Sequence, residues 1–109
     1  MTTLTGTTGY ATLEDAIDGL TRRGFTERFR AVDGKVKALG TGKLLDPKEL
    51  VIREYHRFEG VSDPDDMAIV YAIEGADGVR GTLADAFGVY SDPATSAVLR
   101  DVPIQDAPP

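Results

Sequence analysis

The segment MAIVYAI, residues 67–73, limits the fold of this chain more than any other stretch. It is nearly all apolar, yet it is much shorter than the ~20 residues that a membrane-spanning helix needs. A short apolar run of this kind is typical of a strand that is covered on both faces of a sheet. The segment therefore predicts a central strand.

The segments on either side have the patterns of partner strands. Polar and apolar residues alternate in LVIREYHRF, residues 50–58, and TLADAFGVY, residues 82–90, follows the turn sequence GADG. Short links between such segments favour antiparallel pairing. In the 50–58 strand, the alternation predicts one face with Leu50, Ile52, Glu54, His56 and Phe58, and the other with Val51, Arg53, Tyr55 and Arg57.

The N-terminal region predicts a helix. In TLEDAIDGLTRRG, residues 12–24, four apolar side chains recur at helical spacing: Leu13, Ala16, Ile17 and Leu20. Thr12 has a side chain that suits the N-cap, and Gly24 suits the left-handed conformation that ends many helices.

Two turn signals complete the predicted architecture. Asp33 and Gly34, between RFRAV and KVKAL, favour a two-residue hairpin turn over a continued helix in residues 26–40. Asp92 and Pro93 predict the start of a short C-terminal helix. The predicted fold class is α+β, with the N-terminal helix packed on a curved antiparallel sheet, a meander of about three to five strands. We expect one domain over residues 11–100, with flexible ends at 1–10 and 101–109.

The composition excludes several functional classes. The 109 residues include 12 Lys and Arg against 18 Asp and Glu, a net charge of −6, so we expect no nucleic-acid partner. The absence of Cys excludes disulfides, thiolate metal sites and thiol nucleophiles. Residues 1–10 lack the basic start and apolar stretch of a signal peptide. We therefore expect a cytoplasmic protein with no membrane partner.

Several short motifs resemble those of a family of small bacterial proteins of about this length. The most specific are RFEG at 57–60, PDD at 64–66, YAI at 71–73 and DAFGVY at 85–90, and the resemblance covers roughly residues 12–92. Many members carry the name phosphoribosylpyrophosphate synthetase, which implies a sugar-phosphate or nucleotide ligand. The resemblance implies no catalytic role for any residue. The chain departs from the family pattern at His56, where Tyr is usual, and at Asp63, where Asn is usual.

The order of the residues argues against the chemistry of that name. Phosphoribosyl-pyrophosphate sites place two acids after an apolar strand, followed by a loop of small residues whose backbone amides hold the phosphate. Here Asp65 and Asp66 precede the apolar segment, and the segment contains no Gly, Ser or Thr. The sugar-phosphate interpretation is therefore kept as an alternative.

The acidic stretch RFEGVSDPDDM, residues 57–67, has two interpretations. It contains oxygen donors that suit Mg²⁺ or Ca²⁺, namely Glu59, Asp63, Asp65 and Asp66. The spacing of a calcium-binding loop is absent, however. In the interpretation that we favour, Pro64 fixes a turn and the acidic side chains keep a strand edge from pairing with other molecules. We accordingly predict no metal site and no cofactor.

A second group of polar residues shares its predicted faces with apolar side chains. Glu54, His56 and Asp85 would need hydrogen-bond partners if these faces are buried. Desolvation would raise the carboxyl pKa of Glu54 or Asp85 towards neutrality, as a general base requires. We favour a satisfied polar network over a catalytic pair.

These observations favour a small binding or regulatory module without catalysis of its own, which acts as a monomer or weak homo-oligomer. Its partner would be a small molecule or a protein, and an anionic group or acidic peptide would suit Arg53, Tyr55 and Arg57. The alternatives are a sugar-phosphate- or nucleotide-binding protein or enzyme, and a domain that pairs through a strand edge. The candidate binding residues are Glu54, His56, Arg57, Glu59, Asp63, Asp65, Asp66 and Asp85.

Overall fold

The computed structural model describes residues 12–58, 68–86 and 92–104. The elements, in chain order, are α1 (Leu13–Arg22), β1 (Glu27–Val32), β2 (Lys35–Ala38), β3 (Leu44–Leu45), β4 (Leu50–Phe58), β5 (Ala68–Gly75), β6 (Arg80–Ala86) and α2 (Pro93–Arg100), with a 3-10 turn at Pro47–Glu49. The strands form one sheet in the order β3-β2-β1-β6-β5-β4. The fold class is α+β, as predicted.

The sheet is mixed and has six strands, so the prediction of a purely antiparallel sheet with three to five strands is wrong. β1 runs parallel to β6, with Glu27 opposite Gly81 and Arg28 opposite Thr82. The other pairs are antiparallel. A Cβ atom at residue 81 would collide with the Glu27 carbonyl, so Gly81 allows the two strands to approach. The additional strand, β3, has two residues and was not among the predicted strands.

Both ends of α1 have the predicted caps. The Thr12 hydroxyl accepts a hydrogen bond from the Asp15 amide at 3.1 Å. At the other end, the Phe25 amide donates to the Leu20 carbonyl at 2.9 Å and the Gly24 amide to the Thr21 carbonyl at 3.1 Å. Gly24 has a φ of 108°, and this pair of bonds is the Schellman ending that such a glycine permits.

The predicted hairpin and C-terminal helix are also present. Val32 pairs with Lys35 across a two-residue turn in which Asp33 and Gly34 have φ angles of 51° and 78°. Positive φ at both positions is what this tight turn requires. In α2, Asp92 is the N-cap, and its carboxylate accepts from the Thr95 amide at 3.3 Å.

β5 is covered on both faces, as its composition predicted. We call the two sides of the sheet the α1 face and the α2 face, after the helix that packs on each. The core on the α1 face contains Ala16, Leu20, Phe25, Val70 and Ala72. The core on the α2 face contains Phe29, Val36, Ala38, Leu45, Leu50, Ile52, Ile73, Leu83, Val98 and Val102.

A β-bulge in β4 overturns the predicted division of its side chains between the two faces. Ile52 lies opposite Ile73, but Glu54 lies opposite Ala72, so Arg53 is an extra residue in the ladder. Leu50 and Ile52 therefore face α2, whereas Glu54, His56 and Phe58 face α1. The predicted alternation holds within each half of the strand and fails across the bulge.

The chain stays packed beyond α2. Residues 101–104, which we expected in a flexible tail, place Val102 in the core of the α2 face. Ile104 forms a bridge with Ile52, and the Ile52 amide donates to the Pro103 carbonyl at 2.8 Å. Among the described residues, no helix is long and apolar enough to cross a membrane. Residues 1–11 and 105–109 lie outside the described part of the chain.

The core of the α2 face can be tested with two isoleucines of different exposure. Ile73 is fully buried and Ile104 is 59% exposed. We expect Ile73→Ala to lower the free energy of unfolding by about 2–5 kcal/mol, because it leaves a cavity. Ile104→Ala should change it by no more than about 0.5 kcal/mol. Urea denaturation measures both, and equal effects would contradict this packing.

Candidate functional site

A cleft of about 330 Å³ opens on the α1 face, beside the C-terminal end of α1. We call it the arginine cleft. Its lining residues come from the C-cap of α1, the link to β1, and strands β4 to β6: Arg23, Phe25, Arg53, Glu54, Glu74 and Arg80. Three guanidinium groups and two carboxylates thus meet around one buried aromatic ring.

The bulge in β4 supplies this cleft with Arg53 and Glu54. Because Arg53 is the extra residue, the chain resumes its alternation at Glu54 with the opposite sense. Val51 and Glu74 are paired across β4 and β5, and Glu74 is paired with Arg80 across β5 and β6. The side chains of these cross-strand partners share the α1 face.

The charged groups of the cleft hold one another in place. Arg23 forms a two-pronged contact with Glu54, with Nη1 2.9 Å from Oε2 and Nη2 2.7 Å from Oε1. Arg53 Nε donates to Glu74 Oε1 at 2.9 Å. Arg80 is held less closely, with its Nε 3.8 Å from Glu74 Oε2.

The Phe25 ring forms the floor beneath two of these cations. The guanidinium carbon of Arg80 lies 5.1 Å from the ring centroid, and that of Arg23 lies 6.0 Å from it. At such distances the negative face of the ring attracts a cation. The ring and the carboxylates together restrict the orientations of the guanidinium planes.

Glu54 also joins the cleft to a buried histidine. His56 is 4% exposed, and its Nε2 lies 2.7 Å from Glu54 Oε2. This hydrogen bond, followed by that from Arg23, lowers the pKa of the Glu54 carboxyl from 4.5 to about 2, against the opposing effect of burial. The hypothesis that burial raises the pKa of Glu54 towards that of a general base is therefore wrong. Glu54 is a carboxylate that bonds to His56 and to Arg23, which is the part of the favoured polar network that the structure shows on this face.

Two other predicted residues lie on the opposite face. Asp85 pairs with Ile69 across β5 and β6, and its Oδ1 accepts from the Asp92 amide at 3.1 Å, which ties β6 to the N-cap of α2. Arg57 also pairs with Ile69, and its guanidinium lies 5.8 Å from the Tyr55 ring centroid. The sheet therefore separates Arg57 and Asp85 from Glu54 and His56.

A tyrosine of β5 lies near this second group. Tyr71 pairs with Tyr55 across β4 and β5, and the two ring centroids are 6.2 Å apart. Burial raises the pKa of the Tyr71 hydroxyl, and the negative charge of Asp85 raises it further.

The remaining predicted site residues, Glu59, Asp63, Asp65 and Asp66, lie outside the described residues. The two interpretations of that acidic stretch therefore both stay predictions. Within residues 12–58, 68–86 and 92–104, no group of three acidic or histidine side chains gathers closely enough to hold a metal ion.

Most of the arginine cleft was not predicted from the sequence. Arg23, Arg53, Glu74 and Arg80 are separated in sequence, and they meet because β6 lies between β1 and β5 and because β4 is bulged. The one local signal was the RRGF sequence at the end of the first helix, where a cation and an aromatic residue flank a turn. Regular alternation separated Arg53 from Glu54 and grouped it with Tyr55, whereas the bulge brings Arg53 and Glu54 to the same cleft.

Comparison of the chain with protein-family models, curated proteins and solved structures finds no match. The geometry of the site is therefore the basis for the function proposed below.

The lowered pKa of Glu54 predicts how stability depends on pH. Since the pKa is 4.5 in the unfolded chain and about 2 in the folded one, protons bind the unfolded chain first as the pH falls. The stabilisation from Glu54 is present above about pH 4.5 and is lost as the pH falls towards 2. We expect this part of the acid-induced fall in unfolding free energy to be absent from Glu54→Gln.

Urea denaturation between pH 2 and 6 measures this dependence. Glu49→Gln is the control, because it removes the same charge from an exposed position. Parallel pH profiles for Glu54→Gln and the wild type would contradict the assignment.

Proposed function

We propose that this protein is a binding module that holds an anionic group, a phosphate or a carboxylate, in the arginine cleft. The observation that carries the proposal is the convergence of Arg23, Arg53 and Arg80 on one cleft that only two carboxylates line. The lining side chains have a formal charge of +1 in a chain whose net charge is −6.

Glu54 contributes to stability through its bonds with His56 and Arg23, but stability does not account for the gathering of three arginines in one cleft. The guanidinium-bearing side chains of Arg23 and Arg80 are 50% and 43% exposed. Ion pairs of such exposure contribute about 0–1 kcal/mol to folding. Holding long side chains in one geometry also costs conformational entropy. A binding role explains why several arginines are oriented at the same place.

The chemistry of the cleft suits small anions. A guanidinium presents donors in a planar fork that matches the oxygen atoms of a carboxylate or phosphate, and it stays charged at any physiological pH. Glu54 and Glu74 fix the planes of their partners in advance, which reduces the entropy that binding would cost. The volume of about 330 Å³ is at the lower end of the range for ligand sites.

Catalysis is not favoured by the same residues. Glu54, with a carboxyl pKa of about 2, is a poor proton acceptor at neutral pH. The other lining groups are arginines, a carboxylate held by Arg53, and an aromatic ring. This set can bind and orient an anion, which agrees with a module that has no catalysis of its own.

A strand-edge interaction domain is the second candidate. β4 is an edge strand of nine residues, and within the described residues its outer side is bridged at Ile52 alone. An exposed edge of this length offers unpaired backbone groups to another strand. The bulge at Arg53 interrupts that edge and weakens this second candidate.

Ligand binding can be measured by thermal melting against a panel of anions: inorganic phosphate, ribose 5-phosphate, phosphoribosyl pyrophosphate, citrate and an acidic peptide. A ligand at 100 times its dissociation constant stabilises the native state by about 2.7 kcal/mol, a shift of several degrees for a domain of this size. We expect a shift with at least one anion. A flat panel would contradict the proposal.

Arg80→Gln tests the location of the site. Arg80 has the loosest ion pair in the cleft, so its loss should disturb the fold least. Removing one charge-assisted hydrogen bond costs about 1.5–3 kcal/mol, which weakens binding by about 10- to 100-fold. Arg22→Gln is the control, because Arg22 lies on α1 next to Arg23 but pairs with Asp18 outside the cleft. Equal loss in both variants would place binding elsewhere.

A further inference from the structure

Half of the α1 face has no helix over it in the described part of the chain. α1 packs on β4, β5 and β6. The register places side chains of β1 to β3 on this same α1 face. Arg28 pairs with Thr82, Arg30 with Lys37, and Lys37 with Leu44. This part of the sheet lies beside α1, one helix diameter (about 10 Å) below its outer surface.

The uncovered half carries four cations, which we call the basic patch: Arg28, Arg30, Lys35 and Lys37. Among the described carboxylates, Asp46 is the one within 4.0 Å of a charged nitrogen of the patch, 3.9 Å from Lys35 Nζ. Arg28 donates to the Thr21 hydroxyl at 3.0 Å, so it is held at the boundary between the patch and α1.

The middle of the patch places like charges opposite each other. Arg30 and Lys37 are direct cross-strand partners. Such a pair repels and destabilises the sheet unless a negative charge lies nearby. The adjacent apolar side chains Leu39 and Leu44 are 49% and 55% exposed. A partner for this surface must therefore bring carboxylates and cover leucines.

The same molecule carries a matching surface in the same layer. The outer side of α1 has three exposed acids, Glu14, Asp15 and Asp18, in its first two turns. Asp18 pairs with Arg22 at 3.1 Å, and Glu14 and Asp15 lie at the end of the helix nearest Thr12. The helix thus presents its negative charge above the level of the sheet, and no helix lies at that level over the basic patch in the described part of the chain.

We propose that a second copy of this chain covers the basic patch with the acidic side of its α1. Both surfaces lie on one face, side by side, so a two-fold axis between them lets each helix fill the step beside the other. The contact is then made twice. Each α1 brings Glu14, Asp15 and Asp18 against the four cations of the partner, and each partner covers Leu39 and Leu44.

The charges of the two surfaces favour a second copy of the chain over a nucleic acid as the partner of the basic patch. A polyphosphate would meet a chain with a net charge of −6, which repels it over most of the surface outside the basic patch and the arginine cleft. A second copy has the same net charge, but it places opposite charges in contact at both sites and also covers the exposed Leu39 and Leu44. This proposal does not rest on the proposed function, because no residue of the basic patch lines the arginine cleft.

Sedimentation velocity over a concentration series from micromolar to near-millimolar tests the proposal. At low salt we expect the mass to rise from 11.7 kDa towards twice that value. High salt should shift the transition to higher concentration, because it screens exposed charges. A mass that stays at that of the monomer over the whole series would overturn the proposal.

Charge reversal on each surface identifies the contact. The patch variant is Arg30→Glu with Lys37→Glu, and the helix variant is Glu14→Lys with Asp18→Lys. Each alone should stay monomeric, while an equimolar mixture should form a mixed dimer, since both contacts then pair opposite charges. Lys48→Glu with Arg100→Glu changes the net charge as the patch variant does, at exposed positions outside both surfaces, and should still dimerise.

Circular dichroism confirms that each variant is folded, and recovery in the mixture excludes simple misfolding as the cause of dimer loss. A dimer that persists in both single variants would place the contact elsewhere, for example at the edge of β4, and would overturn the proposal. So would a failure of the mixture to dimerise, or a monomer whose patch binds single-stranded DNA.

Discussion

The extra residue at Arg53 rotates the second half of β4 by one position relative to the first half, and both layers of the protein depend on that rotation. Before the bulge, Leu50 and Ile52 complete the core beneath α2; after it, Glu54 and His56 lie on the side of α1. A regular strand would place two charged or polar groups in the apolar α2 layer, where unpaired burial is costly. The bulge lets one strand serve two cores of different polarity.

The rotated half of β4 is stabilised by a chain of polar contacts rather than by apolar packing alone. His56 is almost fully buried, and Glu54 bonds both to it and to Arg23 at the end of α1. A buried polar side chain is tolerated when its partners are present, so the Schellman ending that positions Arg23 also supports the histidine. The backbone at the end of α1 and the side chain of His56 in β4 thus depend on each other.

Two positively charged surfaces share the α1 face of an acidic protein. The arginine cleft lies over β4 to β6, where carboxylates orient the guanidinium groups, and the basic patch lies over β1 and β2, where cations face each other across the strands. The first arrangement suits a small anion that fits among fixed donors. The basic patch suits a larger acidic surface that also covers Leu39 and Leu44. The outer side of α1 is an acidic surface of this kind.

The sequence alone determined the local structure of this protein. The caps of α1, the turn at Asp33 and Gly34, the N-cap Asp92 and the apolar strand β5 follow from side-chain chemistry within a few residues, so they could be predicted. Only the tertiary structure decided the parallel pairing of β1 with β6, the bulge at Arg53 and the meeting of Arg23, Arg53 and Arg80. These features depend on contacts between residues far apart in the chain, and such contacts leave no periodic pattern in the sequence.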